Sequence, residues 1–562
     1  MRKTTLFLLI IFSAFWSISC RTTPVSELET FCSFEGWNSN EYVFLDSGWI
    51  EGREAAKRTW CWTGIPYAKP PLGSLRWKAP RPVEPWREMK QATDFSSPAN
   101  QLQPVFSSIT GSEDCLYLNI WRPQSGEENL PVYVWLHGGG NSKGSANLPD
   151  FHGNELSIRL NAVFVSINYR LGPLGWFRHP LLQSDNALDN SGNYGLLDII
   201  AALRWVQRNI GAFGGNPDNV TLSGESSGAN NTLALMLSTE AEGLFHKAIV
   251  QSGYKNSASV NEAEAQAMKL TSYLTERRGV DESNLSSSEI REILFESSPA
   301  ELFKFYDAGK NGMIDHLYHI EDGLVFPENG WDLFASGDYP NKVPMIIGSN
   351  KDEMKLFLFF DDTIDRDSAL FDFAAGIGSL RFREEGVDDI ASAVSGNIDS
   401  PAVFAYRFDW GSPDGEGTSP LPGSWGRRLG AMHTLEIPFF LGTDSINGPL
   451  ITALLFNNAN RTSRNLLRDS VMAYTYNFIR TGTPNPGGAS AVIWPEWDES
   501  RNYLIFNANN DELDISVAAD SICADQRLAE LQSQTDSELY LRLLEKIRIH
   551  SSIYKTVMSL LQ

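Results

Sequence analysis

Asn219-Val220-Thr221-Leu222-Ser223-Gly224-Glu225-Ser226-Ser227-Gly228 is the stretch on which the reading of this chain turns. Val220-Thr221-Leu222 is a short apolar strand, and Ser227 to Leu237 continues as a helix of small residues. Between them stands Gly-x-Ser-x-Gly, whose glycines permit a strained backbone and close approach of neighbouring elements. Such a turn lifts the Ser226 hydroxyl clear of the sheet. It also aims that hydroxyl at a helix N-terminus, whose free N–H groups and dipole favour developing negative charge. A bare five-residue match recurs by chance; the strand before it and the helix after it give it weight. Ser223 precedes the first glycine and belongs to the strand. Ser227 lies one residue past the turn, where its N–H matters and its hydroxyl need not.

Two further apolar runs flank this unit in sequence: Pro131 to Leu136 and Ala162 to Ile167. Runs of this kind read as strands buried on both faces, hence a mostly parallel sheet covered by helices. Leu196 to Asn209 has helical spacing and ends near Gly211, and Val343 to Gly348 returns as a strand. Tyr42 to Leu45, Trp60 to Thr63 and Leu116 to Trp121 read as strands separated by turns such as Lys69-Pro70-Pro71-Leu72-Gly73. Residues 255–340 are rich in helix formers, Ser and Glu, and read as an excursion over the catalytic edge of the sheet. Residues 536–562 read as an amphipathic surface helix.

The run at Pro131 ends in His137-Gly138-Gly139-Gly140. Glycines after a buried strand expose N–H groups without Cβ obstruction. Gly139 and Gly140, with the amide of Ser227, supply three donors for an oxyanion, and losing one such donor costs about 3–4 kcal/mol of transition-state stabilisation. A phosphate loop would end in Gly-Lys-Ser/Thr, which is missing here. His137 reads as structural.

With these residues stand Thr63-Gly64-Ile65-Pro66-Tyr67-Ala68, Glu113-Asp114-Cys115-Leu116-Tyr117-Leu118-Asn119-Ile120-Trp121, Asn168-Tyr169-Arg170-Leu171-Gly172, Gly192-Asn193-Tyr194-Gly195-Leu196-Leu197-Asp198 and Phe213-Gly214-Gly215-Asn216-Pro217. In this order, over roughly residues 40–530, the chain resembles the type-B carboxylesterase and cholinesterase family of α/β-hydrolases. The resemblance implies a large, mostly parallel sheet flanked by helices, and a triad in the order Ser, acid, His. Gly348-Ser349-Asn350-Lys351-Asp352-Glu353 matches the family's acid motif and implies Glu353, with Asp352 as the local competitor. Gly430-Ala431-Met432-His433-Thr434-Leu435-Glu436-Ile437-Pro438 matches its histidine segment and implies His433 as the base. The resemblance further implies buried ion pairs Arg76–Glu113 and Arg170–Asp198, a supporting Ser252, and an electrostatic Glu225. His316 and His319 have a helix-like His-x-x-His spacing, yet no acidic partner motif accompanies them, which argues against a metal.

Ser226 is a poor nucleophile at its own pKa, so His433 must take its proton, while Glu353 fixes the tautomer and stabilises the imidazolium. An acyl-enzyme forms, alcohol leaves, and His433 activates water. The expected substrate is a small carboxylic ester, with no metal or organic cofactor. The triad alone does not separate esters from amides, carbamates or lactones. Residues 100–112 lack the tryptophan with which cholinesterases hold a quaternary ammonium. A non-catalytic adhesion member of the same fold is the third reading; such relatives lose a triad member, and this chain keeps all three.

The 562 residues are 42% hydrophobic and 20% charged, an ordinary globular composition. With 46 basic and 69 acidic residues, a formal −23, the chain is a poor partner for nucleic acid. Met1-Arg2-Lys3, the apolar Leu6 to Trp16 and Ser17-Ile18-Ser19 read as an export signal over residues 1–19. Cys20 follows and resembles a lipobox cysteine with Ser17 in place of the usual Leu. It is the expected lipidation site, ordinary signal-peptidase cleavage being the alternative. The expected protein is therefore exported, either tethered to a membrane or free in the periplasm or outside the cell. Residues 20–40 read as a tether or lead-in, and 41–535 as the hydrolase domain. Cys32, Cys61, Cys115 and Cys523 allow three pairings, which spacing does not separate. In many relatives the equivalent of Cys115 pairs with a cysteine upstream in the same loop. Asn100-Gln101-Leu102-Gln103 stands there instead, leaving Cys61 and Cys32 as possible partners.

Overall fold

The apolar runs of the sequence form the middle of a mixed sheet of eleven strands among the described residues. The computed structural model describes residues 36–519 and residue 529, except 104–107, 310–311, 360–367, 398, 486–491 and 510. In chain order the strands are β1 (Arg53–Ala55), β2 (Thr59–Pro66), β3 (Tyr117–Pro123) and β4 (Leu130–Leu136). There follow β5 (Val163–Ile167), β6 (Gly215–Glu225), β7 (Lys247–Gln251) and β8 (Met345–Asn350). The last are β9 (Val403–Phe408), β10 (Asn502–Phe506) and β11 (Ser516–Ala519). Their order across the sheet is β11-β10-β9-β8-β7-β6-β4-β5-β3-β2-β1.

Strands β4 to β10 are mutually parallel, as the unbroken apolar runs require. The edges differ: β5–β3, β3–β2, β2–β1 and β10–β11 are antiparallel. Every residue of β4, β5 and β7 is buried. Alternate side chains serve opposite faces: Val132, Val134 and Leu136 enter one core, Tyr133 and Trp135 the other. Each large apolar side chain so buried contributes about 1.5–3 kcal/mol relative to exposure. Tyr42–Leu45 is a strand, as expected, but in a separate three-stranded sheet.

Helix α1 (Tyr194–Asn209) carries a buried stripe that includes Leu197, Ile200, Leu203 and Val206. A short 3₁₀ turn then carries the chain to Gly214 at φ 71°, so the stop lies three residues beyond Gly211. Helix α2 (Ser227–Leu237) is buried throughout, which is why its residues are small. The excursion after β7 contains α3 (Val260–Arg277) and α4 (Ser287–Glu296). Its Ser/Glu richness has a local cause: Ser259 with Glu262, and Ser286 with Glu289, close capping boxes. A second helical excursion follows β8, comprising α5 (Glu353–Phe359), α6 (Ser368–Arg383) and a π-turn over Glu384–Asp388. The long helix α7 (Arg461–Thr481) packs along the sheet's other core.

Register decides where the chemistry sits. Leu136 pairs with Gly224, Glu225 with Gln251, Gln251 with Gly348. The carboxyl ends of β4, β6, β7 and β8 therefore stop level, and the loops leaving them share one edge, where open α/β sheets bind ligands.

Cys61 and Cys115 are buried free thiols, so the pairing of Cys115 with Cys61 does not occur. They lie in or beside neighbouring strands within packed core and function there as small apolar side chains. Cys32, Cys523, Cys20, the signal segment and the 536–562 helix lie outside the described residues, whose compact unit begins at Gly36. No helix among the described residues is long and apolar enough to cross a membrane.

Candidate active site

Ser226 sits between β6 and α2 with φ 55° and ψ −125°, a conformation that costs a non-glycine residue about 1–3 kcal/mol. Its neighbours impose this turn. A Cβ on Gly224 would lie 2.4 Å from the Gly228 carbonyl carbon, and one on Gly228 would lie 2.2 Å from Leu136 O. Only glycines let β4, the turn and α2 cross so closely. Ser226 N–H donates to Gln251 O at 2.9 Å, tying the turn to β7. Ser223 stays in the strand and accepts from Tyr133 OH at 2.9 Å.

The loop after β4 lies against that turn, where a Cβ on Gly138 would fall 3.0 Å from Ser226 Cβ. Two carbonyls of this loop are held back. The His137 ring donates from Nδ1 to Gly138 O at 2.9 Å. Gly139 O accepts from Ser142 N (3.2 Å), Lys143 N (3.1 Å) and Ser142 Oγ (3.2 Å). In a trans peptide the N–H points opposite to the carbonyl, so the Gly139 and Gly140 N–H groups face away from these bonds. Positive φ at Gly139 (114°) and Gly140 (62°) makes this path open to glycine. His137 stacks on Tyr169, centroids 4.6 Å apart, and burial lowers its pKa to about 4, so it is neutral and structural.

His433 and Ser226 line one cavity of about 180 Å³, with Gly138 and Gly139 on its wall. His433 Nδ1 lies 2.5 Å from Glu353 Oε2, and the other carboxylate oxygen accepts from Asn350 N–H at 2.7 Å. Asp352 is occupied elsewhere, with Ser412 Oγ, Ala431 N and Lys355 Nζ, and does not meet the imidazole. His433 Nε2 lies 3.1 Å from Glu225 Oε1. Glu225 thus touches the imidazole directly, a closer role than an electrostatic neighbour of the serine. Phe357 and Phe382 stand 5.0 and 5.9 Å from the ring.

A third carboxylate completes this group. Glu436 accepts from Ser252 Oγ at 3.1 Å and from Asn350 Nδ2 at 2.5 Å. Asn350 also donates to Met432 O, joining the acid segment to the histidine segment. Burial raises the pKa of Glu225 and of Glu436, and His433 counters this in both. Burial alone would lower His433, but Glu225, Glu353 and Glu436 outweigh it and raise its pKa to about 9. Glu436 and Asn350 stand inside the sequence segments that pointed to His433 and Glu353. Their roles appear only when the two loops meet.

Arg76 makes a bidentate pair with Glu113 at 2.7 and 2.5 Å, and Arg170 with Asp198 at 2.8 and 2.7 Å. His316 and His319 do not share a helix. His319 has φ 53°, which breaks any helical spacing. Their Nε2 atoms face Gly140 O (3.2 Å) and Asn231 Oδ1 (2.8 Å), respectively. No cluster of metal-ligating side chains occurs among the described residues.

The sequence profile of the carboxylesterase family matches residues 39–375 and 382–522. The chain is 32% identical over 478 residues to the para-nitrobenzyl esterase of Bacillus subtilis, covering 80% of this chain and 91% of that one. It is 38% identical over 486 residues to the fumonisin B1 esterase of Sphingopyxis macrogoltabida, covering 82% and 85%. A solved Geobacillus stearothermophilus carboxylesterase superposes with a TM-score of 0.68 at 28% identity, over 87% of this chain and 100% of that one. An α/β-hydrolase sheet, a strained serine at its edge and these relatives lead to one assignment: the chain belongs to the type-B carboxylesterase family and is a carboxylic ester hydrolase.

Proposed function

We propose that Ser226, His433 and Glu353 hydrolyse small carboxylic esters through an acyl-enzyme. Ser226 Oγ attacks the ester carbonyl while His433 Nε2 takes its proton. The oxyanion is held by the N–H groups of Gly139, Gly140 and Ser227, the last at the N-terminus of α2. His433 returns the proton to the leaving alcohol, then activates water to release the acid. Glu353 keeps the Nδ1 proton in place and offsets the imidazolium charge. No step calls for a metal or organic cofactor.

The observation that carries this reading is the Glu353–His433 contact of 2.5 Å beside a serine at φ 55° in one cavity. Glu225 Oε1 faces Nε2 at 3.1 Å without a hydrogen bond to it, and the ring must turn toward Ser226 in the reactive complex; such contacts often tighten only on binding. Hydrolysis of 4-nitrophenyl butyrate should fall at least a thousandfold in Ser226→Ala. Activity within tenfold of wild type would reject the assignment.

Residues 1–19 are proposed to direct export, and Cys20 to carry a lipid in the mature protein. Mass spectrometry of the mature N-terminus tests this. A chain beginning at an acylated Cys20 is expected, and one that begins elsewhere without lipid contradicts it.

A further inference from the structure

The glycine run after β4 has no side chains with which to hold its shape, and glycine turns to positive φ as readily as to negative. Partners for its carbonyls must therefore fix its path. Gly138 O is held by the His137 ring, and Gly139 O by Ser142 and the Lys143 N–H, all within the same loop. Gly140 O is met from outside that loop. His316, in the excursion after β7, brings Nε2 to 3.2 Å from Gly140 O. The same excursion reaches the loop a second time, where Ile314 N–H donates to Ser142 Oγ at 3.2 Å. That hydroxyl is the one that donates to Gly139 O.

His316 is buried, and its ring stands among Trp176, Tyr306 and Tyr318, with centroids 6.1, 6.3 and 5.5 Å away. Burial lowers its pKa to about 4, so the ring carries a single proton at neutral pH. That proton has two claimants, since Nδ1 lies 3.1 Å from Leu317 O. A carbonyl only accepts, so a neutral ring satisfies one of them and turns a bare nitrogen toward the other. Leu317 is the next residue, and the chain itself keeps its carbonyl near Nδ1. Gly140 lies 176 residues away and reaches Nε2 by packing, an approach that a bare nitrogen would oppose.

We propose that the proton sits on Nε2 and that His316 is a positioning residue, which holds Gly140 so that its N–H stays aimed at the oxyanion. The inference rests on the reading of Gly139 and Gly140 as oxyanion donors of an esterase. His316 touches no reacting atom. It acts through the backbone of Gly140, and it ties the excursion after β7 to the loop after β4.

Kinetics per intact site separate this role from one in folding alone. Turnover of 4-nitrophenyl butyrate is expressed per site titrated to completion with diethyl 4-nitrophenyl phosphate, so misfolded chains are not counted. His316→Leu should lower kcat at least tenfold and change KM less than threefold. Its affinity for an alkyl trifluoromethyl ketone, which takes up Ser226 Oγ to form an oxyanion, should weaken at least tenfold. His316→Gln keeps a donor near the Nε2 position and should hold kcat within threefold of wild type. His316→Asn keeps one near Nδ1 instead and should behave like His316→Leu. Nitrogen NMR of histidine-labelled wild type reads the tautomer itself, and a proton on Nε2 of His316 is expected. A proton on Nδ1 overturns the proposal, whether or not the variants fold. So does rescue by His316→Asn but not by His316→Gln, or a ketone affinity in His316→Leu within twofold of wild type. Wild type that leaves 4-nitrophenyl butyrate uncleaved would instead remove the esterase reading on which the inference rests.

Discussion

Three carboxylates lie around the His433 imidazole, and on the proposed mechanism they set the pH at which it can act as a base. Glu225 and Glu353 contact its two ring nitrogens, and Glu436 is joined to Glu353 through Asn350, which donates to both carboxylates. A general base must be neutral before it accepts a proton. Raising its pKa to about 9 therefore removes active enzyme at neutral pH, and activity should climb as pH rises from 7 to 9. Replacing Glu225 by Gln removes a negative charge beside Nε2, so the imidazolium loses stabilisation and its pKa falls. The acidic limb of kcat/KM should move down by about one pH unit or more in Glu225→Gln. A limb that stays put or moves up would show that Glu225 does not hold the imidazolium. Glu225 was recognisable in the sequence as the acidic residue beside the serine. Its contact with His433 was not, because it depends on two loops meeting that are separated by some two hundred residues.

At the scale of elements, β4, the turn carrying Ser226 and α2 cross where backbone alone fills the space. The atoms that a Gly228 side chain would meet, Leu136 O at 2.2 Å and His137 O at 2.8 Å, are backbone. They lead directly into the loop of Gly138, Gly139 and Gly140, the proposed oxyanion hole, and have no rotamer with which to yield. Gly228→Ala should cost about 1–3 kcal/mol of stability and displace the donors, so that esterase activity falls with the melting temperature. Gly211→Ala, where nothing lies within 4 Å, should leave both near wild type. Equal melting temperatures for the two variants would contradict this packing. The parallel middle of the sheet was legible because strands buried on both faces have no polar alternation: β4 and β5 read as unbroken apolar runs. The antiparallel edges were not, since pairing direction leaves little mark on strands of three to eight residues. The excursion containing α5, α6 and the π-turn was also hidden. At the π-turn, a Cβ on Gly386 would lie 2.2 Å from Gly253 O, so that segment is shaped by a neighbour remote in sequence.

In the molecule as a whole, the sheet stands between two apolar cores, and both described cysteines are sealed within them. Burial pushes the Cys61 thiol up to about 12 and Cys115 well above its usual value, so neither supplies thiolate in the folded protein. A thiol reagent should count at least two more thiols per chain in guanidinium than in buffer; equal counts would mean that one or both react in the native state. Chain order and motif spacing indicated the family before any contact was visible, and the level ends of β4, β6, β7 and β8 explain why motifs so far apart serve one site. What the sequence left open is what fills the cavity, because Lys143, Phe357 and Ile437 come from separate loops that only the folded chain assembles. On the proposed mechanism Ser226 Oγ is the atom that carries the acyl group. Acid quench during turnover of a slowly deacylating 4-nitrophenyl ester, followed by peptide mass spectrometry, measures this directly. One acyl group on the peptide containing Ser226, absent from Ser226→Ala, is the predicted result. Acylation at another residue, or turnover by Ser226→Ala near the wild-type rate, would contradict it.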